Sequence, residues 1–204
     1  MKKLRGRPTK ESQAKYEEHL LRVATEEFLR LGYEAATIDG IARKAGVSKL
    51  TIYRRFEGKA GLFLNVAERA IRAESTFLDI PTVGRVPVEV LQAFARATYD
   101  SVTSAGSLAL TRMTIAAAQD FPDVAERYYR GTLEALAPLA SYLSLLDEQR
   151  VLAINDPLQA ALHFINLSMG GVRFLVMPPL TQEERDLWCG DVVQLFMDGY
   201  RRRD

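Results

Sequence analysis

The spacing of apolar residues is the feature that most restricts the fold of this 204-residue chain. Apolar side chains recur at intervals of three and four along the sequence, and no segment shows the sustained alternation of an exposed strand. Leu20, Ala24, Phe28 and Leu31 form one such stripe, which Gly32 ends. The sequence therefore predicts an all-α protein.

Residues that cap helices predict where several of these helices begin. Thr37 is placed to cap a short helix over residues 38–45, and Ser48 a second one to about Phe56, with Gly46 in the turn between them. A longer helix is predicted from Lys59. Later starts are predicted at Pro87, Ser107, Pro122, the run Asn155-Asp156-Pro157, whose helix extends to Pro178 and Pro179, and the capping box of Thr181 and Glu184.

Pro81 and Gly84 interrupt the helix from Lys59 and mark a hinge between two parts of the chain. We expect a basic arm and three-helix reader over residues 1–58, a connecting helix over 59–80 and a helical bundle over 81–204. Charge divides the chain in a similar way. Residues 1–72 carry 16 Lys and Arg against 9 Asp and Glu, whereas residues 73–204 carry 11 against 17. A basic N-terminal part beside an acidic remainder indicates a polyanionic partner, either DNA or a membrane surface.

Composition and motifs argue against several other classes of protein. The single cysteine, Cys189, cannot form an intrachain disulfide, and neither a signal peptide nor a membrane-spanning run is present, so we expect a cytoplasmic protein without membrane association. The only histidines are His19 and His163, and we find no metal-spaced cluster and no nucleophile motif. We therefore expect no catalytic residues, no metal site and no cofactor.

The segment from Thr37 to Leu62 combines an inward apolar set with an outward polar set. Small residues such as Ala42 and Ala45 allow two helices to approach closely, and Gly46 permits the turn. The outward surface of the second short helix has hydroxyls, cations and one aliphatic side chain, which suits a DNA major groove. It comprises Ser48, Lys49, Leu50, Thr51, Tyr53, Arg54 and Arg55.

This segment resembles the DNA-binding domain of the TetR/AcrR family of bacterial regulators. The resemblance rests on Thr37, Ile41-Ala42, Ala45-Gly46-Val47-Ser48, Ile52-Tyr53, Phe56 and Lys59. By that resemblance, Lys49, Leu50 and Arg54 approach base edges, and a further set binds phosphates. The phosphate-binding set is Thr37, Ser48, Thr51, Tyr53 and Lys59.

Three positions depart from the family pattern. Leu50 stands where a small residue is usual, which implies an altered base preference. Gly58 and Gly61 replace a polar cap and an acidic residue, which implies a weaker start of the helix from Lys59.

Arg5-Gly6-Arg7-Pro8 resembles the minor-groove core of AT-hook peptides and the N-terminal arms of some family members. Arg5 and Arg7 would then enter a narrow A·T groove, where arginine is electrostatically favoured. The alternative is a disordered basic tail that supplies only non-specific attraction.

The remainder of the chain resembles the effector and dimerisation domains of the family, most closely the AefR-like branch, through Arg112, Phe121-Pro122, Ala125 and Tyr129. The last two long helices are rich in small and apolar residues and are predicted to form a homodimer by a four-helix contact. The alternative is that this face belongs to the core of one chain. The predicted interface is Ala160, Phe164, Leu167, Gly171, Val192, Leu195 and Phe196.

The resemblance also implies a cavity for a largely apolar small-molecule effector. Each candidate lining residue has a place in the core as its alternative role. The candidates are Phe94, Thr98, Met113, Tyr128, Asn166, Met169 and Arg173.

The expected function is that of a ligand-responsive transcriptional regulator, which a small molecule releases from a palindromic operator. Repression is favoured over activation because blocking a promoter requires no activation surface. The alternative is a constitutive dimeric DNA-binding protein, whose second domain would have a filled core rather than an open pocket.

Overall fold

The structure is a computed structural model that describes residues 10–75, 80–118 and 122–202. These residues form helices and contain no strand, which confirms the predicted all-α class. The helices are α1 Lys10–Ala35, α2 Ile38–Ala45, α3 Lys49–Phe56, α4 Lys59–Ser75, α5 Pro87–Thr103, α6 Ala105–Ala117, α7 Pro122–Ala135, α8 Ala137–Glu148, α9 Pro157–Met169, α10 Arg173–Val176 and α11 Gln182–Gly199.

The cap signals correctly predicted both short helices near the N-terminus. Thr37 caps α2 and Ser48 caps α3, each with its side-chain oxygen accepting a backbone N–H of the first turn. Gly46 ends α2 at φ 67°, a left-handed conformation that glycine adopts without strain. The first helix differs from the prediction, because helical structure resumes beyond Gly32, at φ 78°, and continues to Ala35.

Cap signals in the C-terminal part were correct at four starts, including that of α9 described below, and wrong at one. Pro87 and Pro122 begin α5 and α7, and Thr181 and Glu184 form the predicted capping box of α11. Ser107 does not cap α6. Ser104 does so instead and accepts the Ser107 N–H at 3.2 Å.

Asp156 caps α9 as predicted, but this helix does not extend to Pro178 and Pro179. It ends at Met169, because Gly170 takes the left-handed conformation at φ 78° and closes the last turn. The separate short helix α10 occupies part of the intervening segment.

Two apolar clusters lie at the centre of the described structure. The first is built mainly by α1 to α4, and Leu110 and Ala117 of α6 are buried in it. The second is formed by α5, α8, α9 and α11, and contains Cys189 with no exposed surface. Because α6 contributes to the N-terminal cluster, packing does not divide strictly at residue 80. The predicted domain bounds of 1–58, 59–80 and 81–204 stay a prediction.

Candidate nucleic-acid interface

The core of the first cluster fixes α2 and α3 against each other. Ile41 and Ile52 are completely buried, and Ala42, Ala45 and Phe56 are nearly so. The turn between the helices is closed by hydrogen bonds within its own backbone, including one of 2.9 Å from Val47 N–H to the Ala42 carbonyl. The outward side chains of α3 are therefore presented on a rigid support.

The outer face of α3 holds a mixed apolar and polar surface. Leu50 is 65% exposed and Tyr53 is 54% exposed, so neither is part of the core. Ser48 and Thr51 join their hydroxyls at 2.8 Å at the start of the helix. A concavity of about 400 Å³ is lined by Ser48, Leu50, Thr51, Arg54 and Arg55.

Most cations near this surface already have a carboxylate partner. Lys49 pairs with Asp39, Lys44 with Glu27, and Arg55 with Glu17. Arg54 is exposed, and none of the described residues forms an ion pair with it. Arg54 is thus the cation of α3 whose charge is most available to DNA.

Lys59 occupies a site at the end of α1. Its ammonium donates a hydrogen bond of 3.0 Å to the Glu34 carbonyl and lies 4.4 Å from the centroid of the Tyr33 ring. An ammonium has three N–H donors, so one bond to a carbonyl leaves donors for a phosphate. The geometry is compatible with the phosphate contact implied by the resemblance.

Glu27 links α1 to α2 from a nearly buried position. Hydrogen bonds from the Arg30 guanidinium and then from the Lys44 ammonium lower the pKa of Glu27 from its ordinary value of 4.5 to about 2. Its carboxylate is therefore ionised at neutral pH and holds the last turn of α2 to α1. Sequence inspection missed this contact because Lys44 lies 17 positions away from Glu27 along the chain.

We expect Glu27→Gln to lower the free energy of unfolding at neutral pH. A carboxyl whose pKa is lowered by folding stabilises the protein at every pH above its pKa in the unfolded chain. This stabilisation is lost as the pH falls through its pKa in the folded protein. The difference in free energy of unfolding between variant and wild type should accordingly shrink as the pH falls from about 4.5 toward 2. Urea unfolding across this range measures it, with Glu26→Gln as the control because Glu26 belongs to an exposed pair with Arg22. A difference in free energy of unfolding that does not depend on pH would contradict the lowered pKa of Glu27.

Within the described residues, the candidate effector residues lie at several separate places. Phe94 and Thr98 are buried on α5, where Phe94 stacks on Tyr142, and Met113 packs against the N-terminal cluster. Asn166 and Met169 lie on α9, and Arg173 begins α10. Tyr128 lines a small internal cavity.

That cavity lies where α4, α5, α6 and α7 meet. It has a volume of about 40 Å³, with Thr111 Oγ1 and Tyr128 Oη 3.4 Å apart on its wall. Its lining is uncharged and consists of Ala67, Ala70, Val102, Ser107, Leu110, Thr111 and Tyr128. Such a space holds a few water molecules at most, so a larger ligand must separate the helices around it.

The predicted dimer residues fall into a buried and an exposed group. Ala160 and Phe164 have no exposed surface within their own chain, and Val192 and Phe196 are nearly buried, with the Phe164 and Phe196 rings 5.0 Å apart. We therefore remove Ala160 and Phe164 from the contact surface because the core of the same chain covers them.

The exposed remainder forms an apolar groove between α9 and α11, with a volume of about 660 Å³. We call it the α9/α11 groove. Sequence analysis missed Trp188, whose indole N–H donates to the Ser168 carbonyl at 3.1 Å. The groove is lined by His163, Asn166, Leu167, Gly170, Gly171, Trp188, Leu195, Phe196, Gly199 and Tyr200.

The remaining residues singled out from sequence are Arg5, Arg7, Cys189 and His163. Arg5 and Arg7 lie outside the described residues. Burial raises the pKa of the Cys189 thiol to about 11, which keeps it protonated. His163 has its Nδ1 2.9 Å from Tyr200 Oη. Within the described ranges, no group of His, Cys, Asp and Glu is suited to a metal ion, and no helix has both the length and the apolar character to cross a bilayer.

Comparison with protein families gives two matches on separate parts of the chain. The family described as "Bacterial regulatory proteins, tetR family" matches residues 20–66, which include α2 and α3. The family described as "AefR-like transcriptional repressor, C-terminal domain" matches residues 89–202.

Solved structures resemble nearly the whole chain. The Flavonoid-responsive Regulator FrrA is 27% identical with a TM-score of 0.78, covering 94% of this chain and 100% of that one. The structure of a TetR-family transcriptional regulator from Mesorhizobium loti MAFF303099 is 25% identical with a TM-score of 0.76, covering 93% of this chain and 98% of that one.

A curated relative matches over a shorter length. The HTH-type transcriptional activator FasR of Mycolicibacterium smegmatis is 46% identical over 52 residues, which are 26% of this chain and 24% of that protein. The chain thus spans about a quarter of this relative.

Proposed function

Because the chain belongs to the TetR family of bacterial regulatory proteins, we propose that it is a homodimeric repressor that a small molecule releases from a palindromic operator. DNA binding and transcriptional regulation are the functions of this family. The single observation that carries the proposal is the exposed face of α3, where Leu50, Tyr53 and Arg54 project from a buried two-helix scaffold. A helix-turn-helix motif places the second of its two helices, here α3, in the major groove.

The phosphate and base roles follow from the character of each side chain. Thr37, Ser48, Thr51, Tyr53 and Lys59 position the reader on phosphates, which carries little base information. Lys49, Leu50 and Arg54 face base edges, where arginine recognises guanine and leucine contacts thymine methyl groups. Arg5 and Arg7 add contacts in the flanking minor groove.

Homodimer formation is proposed through the α9/α11 groove. Leu195 is 61% exposed there, and an exposed large apolar patch on a folded chain marks a contact site. A two-fold dimer binds two half-sites about one helical turn apart, or about 34–36 Å, so the operator is a pseudo-palindrome. Two dimers on a longer site would satisfy the same symmetry.

The effector is proposed to enter between α4 and α7, at the uncharged cavity of Thr111 and Tyr128. An uncharged lining favours a neutral, largely apolar molecule, because an ionic group would lose hydration without a partner. Separating α4 from α7 would move α4, whose first turn adjoins α3. By linkage, operator DNA must then weaken effector binding by the same factor.

The alternative is a constitutive dimeric DNA-binding protein. The small volume of the internal cavity favours it, because a filled core needs no ligand. Operator affinity measured with and without neutral aromatic compounds separates the two functions. The name of FrrA supports flavonoids as the first compounds for that experiment.

The experiment that tests DNA binding is selection of bound duplexes from random DNA with the purified chain, followed by Arg54→Ala. We expect a two-fold site to be enriched, and the variant to lose about 1–3 kcal/mol of operator affinity with relaxed preference at one base of each half-site. Arg130→Ala is the matched control, because Arg130 is an exposed arginine on α7 with a partner on its own helix. If the folded protein enriches no sequence, or if Arg54→Ala binds as the control does, the proposal fails.

A further inference from the structure

The ion pair between Asp39 and Lys49 lies on the reader and is not needed by its scaffold. Asp39 is in the first turn of α2, and Lys49 is the first residue of α3. Their side chains remain 56% and 57% exposed. Exposed pairs contribute little to folding stability, so stability does not account for a carboxylate beside this DNA-facing lysine.

The other paired cations of the reader differ in this respect. Glu27 is nearly buried beneath Lys44, and Glu17 of α1 is less exposed than Asp39 and ties α1 to Arg55 of α3. All three acids join two helices, but Glu27 and Glu17 do so with less of their side chains exposed than Asp39. Asp39 instead is more than half exposed and contacts a residue proposed to read bases.

Pairing changes what Lys49 does on non-operator DNA. Sequence-independent attraction comes from cations that neutralise phosphates and displace counterions. The Asp39–Lys49 pair has no net charge and so adds nothing to this sequence-independent attraction. A phosphate that approaches the Lys49 ammonium also approaches the Asp39 carboxylate. Like charges then oppose the contact.

A guanine edge presents a different balance. Its O6 and N7 are acceptors without net charge, and lysine is a common partner for them. Because an ammonium has three donors, Lys49 can donate to guanine while it keeps a bond to Asp39. The carboxylate then orients the lysine without repelling the base.

Resting on the proposed DNA-binding function, we infer that Asp39 is a specificity-determining residue that suppresses phosphate contacts by Lys49 and reserves this lysine for a guanine edge. It is a positioning residue, because it acts through Lys49. Removing its charge is therefore expected to strengthen binding to wrong sequences more than binding to the operator.

The test compares Asp39→Asn with wild type on the selected operator and on a scrambled duplex between 50 and 200 mM salt. We expect tighter binding of the scrambled duplex by the variant, with a salt slope steeper by about 0.9. Over this fourfold range of salt, one added phosphate contact corresponds to about a 3.5-fold larger change in affinity. The ratio of operator to scrambled affinity should fall severalfold, and Asp39→Glu, which retains the charge, should preserve it.

Two controls separate orientation of Lys49 from simple charge. Glu26→Gln removes a carboxylate from an equally exposed pair on α1 and should leave the ratio unchanged. In a Lys49→Gln background, Asp39→Asn should change both affinities by the same factor. The inference is overturned if Asp39→Asn leaves the ratio of operator to scrambled affinity as in wild type. It is also overturned if Asp39→Asn lowers this ratio equally in the Lys49→Gln background. A wild-type protein that does not prefer the selected operator would instead refute the proposed function.

Discussion

Gly61→Ala is expected to destabilise the reader and to lower operator affinity more than tenfold. Gly61 lies in the first turn of α4, where an added Cβ would overlap the carbonyl oxygen of Phe56 and lie 3.0 Å from its carbonyl carbon. Phe56 is buried, so this backbone cannot withdraw without disturbing the core. Overpacking costs about 1–3 kcal/mol, which exceeds the gain of about 1 kcal/mol from alanine in a helix.

The same clash is expected to move α3 relative to DNA, because Phe56, which the new methyl group would push away, is the last residue of α3. Thermal unfolding and operator titration measure the two effects on one sample. Gly190→Ala is the matched control, since its Cβ would meet no atom within 4 Å and should stabilise α11. If Gly61→Ala is as stable as this control and binds DNA normally, the close approach of α3 and α4 is not required.

Gly61 also shows why part of the reader could be predicted from sequence and part could not. Thr37 and Ser48 were interpreted correctly because each cap closes within three residues, with Gly40 and Thr51 respectively. At Gly61 the sequence indicated only a weak helix start. The contact that requires glycine depends on how α3 crosses α4, which local propensity does not determine.

Charges and the C-terminal part show the same difference between local features, which sequence predicts, and contacts that depend on the fold. The outward set on α3 was predictable from helical spacing, but its ion partners depend on the fold, as with Asp39, which lies ten positions from Lys49. Around α6, Ser104 and Ser107 are equally plausible caps by type, and the structure has the earlier one. Phe94 was a candidate lining residue with a place in the core as its alternative, and it is buried on α5, but sequence gives no information on which cavity a buried residue faces.

Leu195→Glu is expected to convert the proposed dimer into a folded monomer and to reduce operator affinity by two or more orders of magnitude. Leu195 lies in the α9/α11 groove with most of its side chain exposed, so glutamate there leaves the core of the chain intact. In a dimer the carboxylate would be desolvated without a partner, which opposes association strongly. A monomer also loses the effective concentration that links two half-sites, a factor of about 10²–10⁴.

Leu195 is a better probe of this surface than Gly171, because Gly171 has φ 60° and any side chain there is strained irrespective of dimer formation. Leu145→Glu on α8 is the matched control, since Leu145 is also partly exposed but does not line the groove. Mass in solution and operator affinity must fall together for Leu195→Glu and remain unchanged for the control. A Leu195→Glu protein that stays dimeric places the dimer contact elsewhere, whereas a monomer with full operator affinity shows that each reader binds its half-site independently.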